Sequence, residues 1–82
     1  MSHVLHTLNE EFPRDWEVVH RLTLNDGRFR RLRGRYLEVN HAVNRIEQGI
    51  EPSDDVRLEG LKKLRLALLD EISELIATAR AA

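Results

Sequence analysis

Cysteine is absent from this chain of 82 residues. Neither a disulfide framework nor a thiolate metal site can hold it together, and nothing points to an oxidising compartment. Aromatic residues are scarce, at 5%, and there are two prolines. Nowhere do β-branched and polar residues alternate over the length of a strand, so helix is the only regular structure with a signal. No window approaches the roughly 18 apolar residues that a membrane span requires. The N-terminus, MSHVLHTLNEEF, lacks a basic residue followed by an apolar run, so no signal peptide is expected and the expected address is cytoplasmic. An excess of one charge sign is missing too. Thirteen lysines and arginines stand against fourteen aspartates and glutamates, for a formal net charge of -1. A chain-wide attraction to nucleic acid or to a membrane is therefore unsupported.

What is present is helical rhythm. Residues 1–11 carry no periodicity and are expected to be a flexible N-terminus. A single helical domain should follow over 12–79. Its first helix spans about 15–22, with Pro13 at the entrance, where a missing N–H costs nothing. Trp16, Val19 and Leu22 form its apolar side. Thr23 with Asp26 resembles a capping box, placing the second helix at about 25–48. There Phe29, Leu32, Tyr36, Val39, Val43, Ile46 and Ile50 alternate spacings of three and four, which is a heptad seam. Gly49 and Pro52 break it. Ser53 can cap a third helix over about 54–79, with Asp54 and Asp55 at the positive end of its dipole. The third helix repeats the rhythm with Leu58, Leu61, Arg65, Leu68, Ile72, Leu75 and Ala79.

The expected fold is thus all-α: an antiparallel helical hairpin of coiled-coil character with a short additional N-terminal helix, and a dimeric bundle as one form of it. A single register pairs Phe29 with Leu75, Leu32 with Ile72, Tyr36 with Leu68, Val43 with Leu61 and Ile46 with Leu58. It sets Arg65 across from Val39, where a charged seam residue trades stability for specificity. A two-helix seam in so short a chain is marginal. Leu64, Leu69 and Ile76 flank the third helix's seam and widen its apolar face. Either the first helix covers that flank, or a second copy of the chain does.

A set of spaced residues also resembles a known family. Phe12-Pro13, His20-x-Leu22, Asp26-x-x-Phe29, Leu32, Tyr36, Ile46-Glu47-x-Gly49, Asp54-Asp55 and Leu61-Lys62-Lys63-x-Arg65-x-x-Leu68-x-Asp70-x-Ile72 resemble the YdcH-like family of small bacterial proteins, over residues 12–76. The resemblance implies a helical hairpin and carries over no activity, catalytic residue or ligand. Where that family usually reads Leu-Lys-Asp, this chain has Leu68-Leu69-Asp70, which enlarges an apolar contact surface.

Chemistry-bearing residues are few. Arg28, Arg30, Arg31, Arg33 and Arg35 crowd the start of the second helix, and guanidinium groups bind phosphates in bidentate fashion. In the hairpin register they lie beside Asp70, Glu71 and Glu74, with Arg35 facing Glu71, so an internally balanced, solvated face is the plainer reading. His3 and His6 share a helical spacing, with His20 and His41 elsewhere, but metal sites need converging ligands and none is expected. Glu47, Glu51, Asp54, Asp55 and Glu59 gather at the convex tip of the turn, where acid–base work lacks a cleft. No nucleophile motif or phosphate loop occurs. Gly34 and Gly60 fall inside helices, each costing about 1 kcal/mol relative to alanine.

These observations favour a structural or protein-interaction module, without catalysis, cofactor or small-molecule substrate. It would form a homodimer or dock against another protein's helix through Leu64, Leu69, Ile76 and Trp16. The alternative is a nucleic-acid-associated protein using the five arginines. Membrane contact is disfavoured by Arg65 and by the acidic Asp70, Glu71 and Glu74.

Overall fold

The computed structural model describes residues 8–82. All regular structure in them is α-helical: α1 (Leu8–Glu11), α2 (Trp16–Asn25), α3 (Gly27–Glu47) and α4 (Asp55–Ala81). The single turn of α1 falls where the sequence lacks periodicity. Leu8 anchors it, being buried in the main core. The Phe12 and Asp15 N–H groups then donate to the Leu8 and Phe12 carbonyls, leading the chain past Pro13 into α2.

Helix boundaries follow the capping chemistry, with two corrections. Asp15 precedes α2 but does not cap it through its side chain, because both of its carboxylate oxygens accept from Arg80 Nη1, at 2.8 and 3.0 Å. α2 continues past Leu22 to Asn25, because Thr23 is not the cap expected of it. Its hydroxyl donates to the Val19 carbonyl at 2.7 Å, a bond internal to α2. Asp26 caps α3 instead: its Oδ1 accepts from Phe29 N at 3.0 Å, while its own N–H closes α2 onto Leu22. One residue thereby satisfies a C-terminus and an N-terminus. The second correction concerns α4. Its cap is Asp54, whose Oδ1 accepts from Arg57 N at 2.7 Å, not Ser53, whose hydroxyl donates to the Asp54 carbonyl.

α3 ends in a Schellman motif. Gly49 has a φ of 78°, and the Gly49 and Ile50 N–H groups return to the Ile46 and Arg45 carbonyls. Ile50, counted in the heptad seam, lies beyond this stop and is 68% exposed.

α3 and α4 run past each other in opposite directions. Contacts pair Glu47 with Lys62 at 3.0 Å, Asn40 with Arg65 at 2.8 Å and Arg28 with Glu71 at 3.6 Å, so partners descend in α4 as positions ascend in α3. Phe29, Leu32, Tyr36, Leu68, Ile72 and Ile76 fill the core, closed by Leu8 and by Val19 of α2. The buried line departs from the heptad in both helices. In α3 it passes through Asn40, fully buried, whereas Val39 is half-buried. Positions 39 and 40 lie to either side of the seam, and because a straight helix has 3.6 residues per turn a strict heptad drifts by about 20° per repeat, which turns the inward direction from 39 toward 40. In α4, Leu68, Ile72 and Ile76 step by four and slew around the helix toward α2, leaving Leu75 half-buried. α2 is fastened to the same end by the Asp15–Arg80 pair and by Arg21, which donates to the Ala79 carbonyl. The first long-enough helix therefore packs on its own chain.

Candidate functional site

Among the described residues, two of the concavities built by these helices stand out, and neither coincides with the surface drawn from the heptad. The larger is a groove of about 370 Å³ lined by Glu11, Tyr36, Lys62, Arg65, Leu66 and Leu69. Its floor is Tyr36, only 2% exposed. Burial, then the nearby charge of Glu11, pushes the Tyr36 phenol above its usual pKa, against the opposing pull of Arg65. The phenol is therefore a neutral hydroxyl across the physiological range, able to donate but not to act as a base. Arg65 is held in place by Asn40, to which it donates at 2.8 Å. The groove thus offers two apolar leucines bordered by two cations and one carboxylate.

The smaller concavity, about 160 Å³, is lined by Trp16, Val19, His20, Thr23 and Arg33. It lies between α2 and α3. Arg33 Nε is shielded from solvent and has no hydrogen-bond acceptor.

The four residues expected to form one docking surface are dispersed. Ile76 is 1% exposed and belongs to the chain's own core, because α2 covers the flank that the heptad left bare. Leu69 is half-buried in the groove. Leu64 lies five positions away, about 140° around α4, and is 36% exposed. Trp16 belongs to the other cleft. The sequence reading missed Leu66, which is 60% exposed. Its signal was available: a leucine at a phase outside the seam has no core to fill.

The five arginines do not form one patch either. Adjacent helical positions are about 100° apart, so Arg28, Arg31 and Arg35 fall on one side of α3 and Arg30 and Arg33 on the other. Glu71 pairs with Arg28, not with Arg35 as the simple register suggests. Arg30 donates to the Thr23 and Leu24 carbonyls, at 3.1 and 3.3 Å, and so neutralises the end of α2. Among the described residues, Arg31, Arg33 and Arg35 form no ion pair.

At the turn, the acidic residues have separate occupations. Glu51 accepts from Arg45 Nε at 3.0 Å and pairs with Arg57 Nη2 at 2.9 Å. These two hydrogen bonds hold its carboxyl below the usual range. Glu47 pairs with Lys62 and Asp54 caps α4. Among the described residues no three His, Cys, Asp or Glu side chains gather as a metal site requires, and His3 and His6 lie outside the described residues. No described helix is long and apolar enough to cross a membrane.

No curated protein and no solved structure matches the chain. Residues 29–76 match the model of a family described as a protein of unknown function, DUF465, a span that runs from the first core phenylalanine of α3 through the last buried isoleucine of α4. This is the family of the YdcH-like resemblance, and the chain belongs to it.

Proposed function

We propose that this protein is a helical-hairpin interaction module without catalysis, whose groove between α1, α3 and α4 receives a second copy of the same chain. One observation carries the reading: Leu66 and Leu69 line a groove together with the cations Lys62 and Arg65 and the carboxylate of Glu11. A two-fold axis places the same patch against itself, and a patch holding both charge signs around an apolar centre is self-complementary under that operation. A homodimer also supplies burial that so short a chain lacks. The absence of a nucleophile motif in the sequence, and the occupation of the turn carboxylates by capping and ion pairs, support a non-catalytic role.

Sedimentation equilibrium tests the reading. The unaltered chain is expected to have the mass of a dimer at micromolar concentration, and Leu66→Glu that of a monomer with an unchanged helical circular dichroism spectrum. Leu66 is exposed within the chain, so this substitution leaves the core intact. A chain that remains monomeric at millimolar concentration refutes the proposal.

A further inference from the structure

We infer that the cleft between α2 and α3 is a nucleotide site, with Arg33 receiving the phosphate and Trp16 stacking on the base. The inference is independent of the dimer groove, which is lined by other residues. It starts from the chemistry of the lining. No carboxylate lines this cleft, and Arg33 is its one permanently charged residue. Arg33 is half-buried as a residue and forms no ion pair among the described residues, and its Nε is shielded from solvent. A guanidinium that has already lost part of its hydration also attracts an oxyanion more strongly, because the surrounding dielectric is lower. Its planar fork of donors suits phosphate geometry.

The rest of the lining narrows the ligand. His20 adds ring N–H capacity beside the guanidinium. Thr23 adds no donor, because its hydroxyl proton is committed to the Val19 carbonyl. At about 160 Å³ the cleft is smaller than typical sites enclosing whole small molecules, which begin at about 300 Å³. It therefore admits a phosphate while the remainder of the ligand stays at the rim. The rim carries Trp16, the chain's single tryptophan, 56% exposed. An exposed indole beside a cationic oxyanion site offers a stacking platform of the kind that nucleic-acid-binding proteins use for bases. A free nucleotide and a single strand present the same unit, a phosphate with an attached base.

Trp16 reports directly on its own cleft, so its fluorescence is the assay, with inorganic phosphate, adenosine, adenosine monophosphate and a tetra-adenylate strand as probes. Adenosine monophosphate is expected to quench the emission saturably, with adenosine and inorganic phosphate each weaker by about tenfold or more. Arg33→Met should abolish the phosphate-dependent part, and Arg33→Lys should retain a reduced, salt-sensitive part. Trp16→Ala, followed by calorimetry, should lose the advantage of the nucleotide over inorganic phosphate; this exposed position leaves the core intact. A strand binding no better than the mononucleotide assigns the site to free nucleotide, and a strand binding about tenfold tighter assigns it to single-stranded nucleic acid. Absence of saturable quenching by any probe up to ~10 mM, or quenching by adenosine monophosphate that survives in Arg33→Met, overturns the inference. Inorganic phosphate binding as tightly as adenosine monophosphate overturns the nucleotide assignment.

Discussion

Truncating Ile76 and truncating Leu75 separate a heptad hairpin from a packing in which α2 covers the flank of α4. In the heptad register Leu75 is the seam residue opposite Phe29 and Ile76 is a flank. In the structure Ile76 is 1% exposed, within the cluster that includes Val19 of α2, while Leu75 is half-buried beside it. Replacing a fully buried isoleucine by alanine removes its transfer free energy and leaves a cavity, for about 3–4 kcal/mol. The half-buried Leu75 loses less apolar area and leaves an indentation open to water, for about 1–2 kcal/mol. In a domain of this size the larger loss lowers Tm by ~12–30 °C. That is a large share of the total stability of a small domain, so Ile76→Val, expected to cost about 1 kcal/mol, serves where the alanine variant does not fold. Urea unfolding followed by circular dichroism, with m-values compared, supplies the measurement. A Leu75→Ala midpoint as low as that of Ile76→Ala refutes the packing of α2 over α4.

Glycines give a second test, in both directions. Gly34 and Gly60 sit inside α3 and α4 with nothing within 4 Å of an added Cβ, so Gly34→Ala and Gly60→Ala should each raise stability by about 0.5–1 kcal/mol. Gly49→Ala, at a φ of 78°, should lower it by about 1 kcal/mol through the left-handed backbone; the same urea series reads all three. Tyr36, the single tyrosine, should titrate above its usual value of 10.0 by tyrosinate absorbance, and higher still in Arg65→Met, because Arg65 lowers it. A raised folded pKa means that this residue's contribution is complete below the unfolded value and is lost as pH rises through the folded one. An unshifted Tyr36 would show that the phenol is hydrated. Glu51 has the opposite sign: its lowered pKa makes its contribution complete above the usual carboxylate value and lost as pH falls through the folded one. Glu51→Gln should therefore flatten the acid side of the Tm-against-pH curve, and an unchanged acid limb would exclude the Arg45–Glu51–Arg57 clip.

Helix content was legible in the sequence because apolar periodicity and breakers act locally. Asp26, Gly49 and Asp54 mark real ends, and Gly49 stops α3 where a helix stop was read. Errors arose where two residues compete for one role. Thr23 and Asp26 both have the side chain of a cap, and so do Ser53 and Asp54. In each case the aspartate caps, its ionised carboxylate accepting from a backbone N–H near the positive end of the dipole. Asp15 shows the converse: a cap residue is diverted when a cation, here Arg80, reaches it from a distant part of the chain. No local pattern contains that information.

The candidate sites were less legible for a geometric reason. A heptad places residues to within a few tens of degrees, which suffices to say which positions face a partner helix but not which of two neighbours is buried. That margin decides between Val39 and Asn40, and between Leu75 and Ile76. Its consequences are chemical as well as steric. With Asn40 inward, Arg65 has a buried acceptor and stays in the seam, and its guanidinium then lies close enough to Tyr36 to lower the phenol's pKa. With Ile76 inward, α4 turns its flank to α2, and the leucine left exposed on α4 is Leu66. The arginine run follows the same rule: five cations in eight residues read as one patch, but about 100° per residue divides them between two sides of α3. Of the five, Arg33 alone is carried into a cleft beside Trp16, so the proposed phosphate site rests on one guanidinium and its surroundings, not on the density of positive charge.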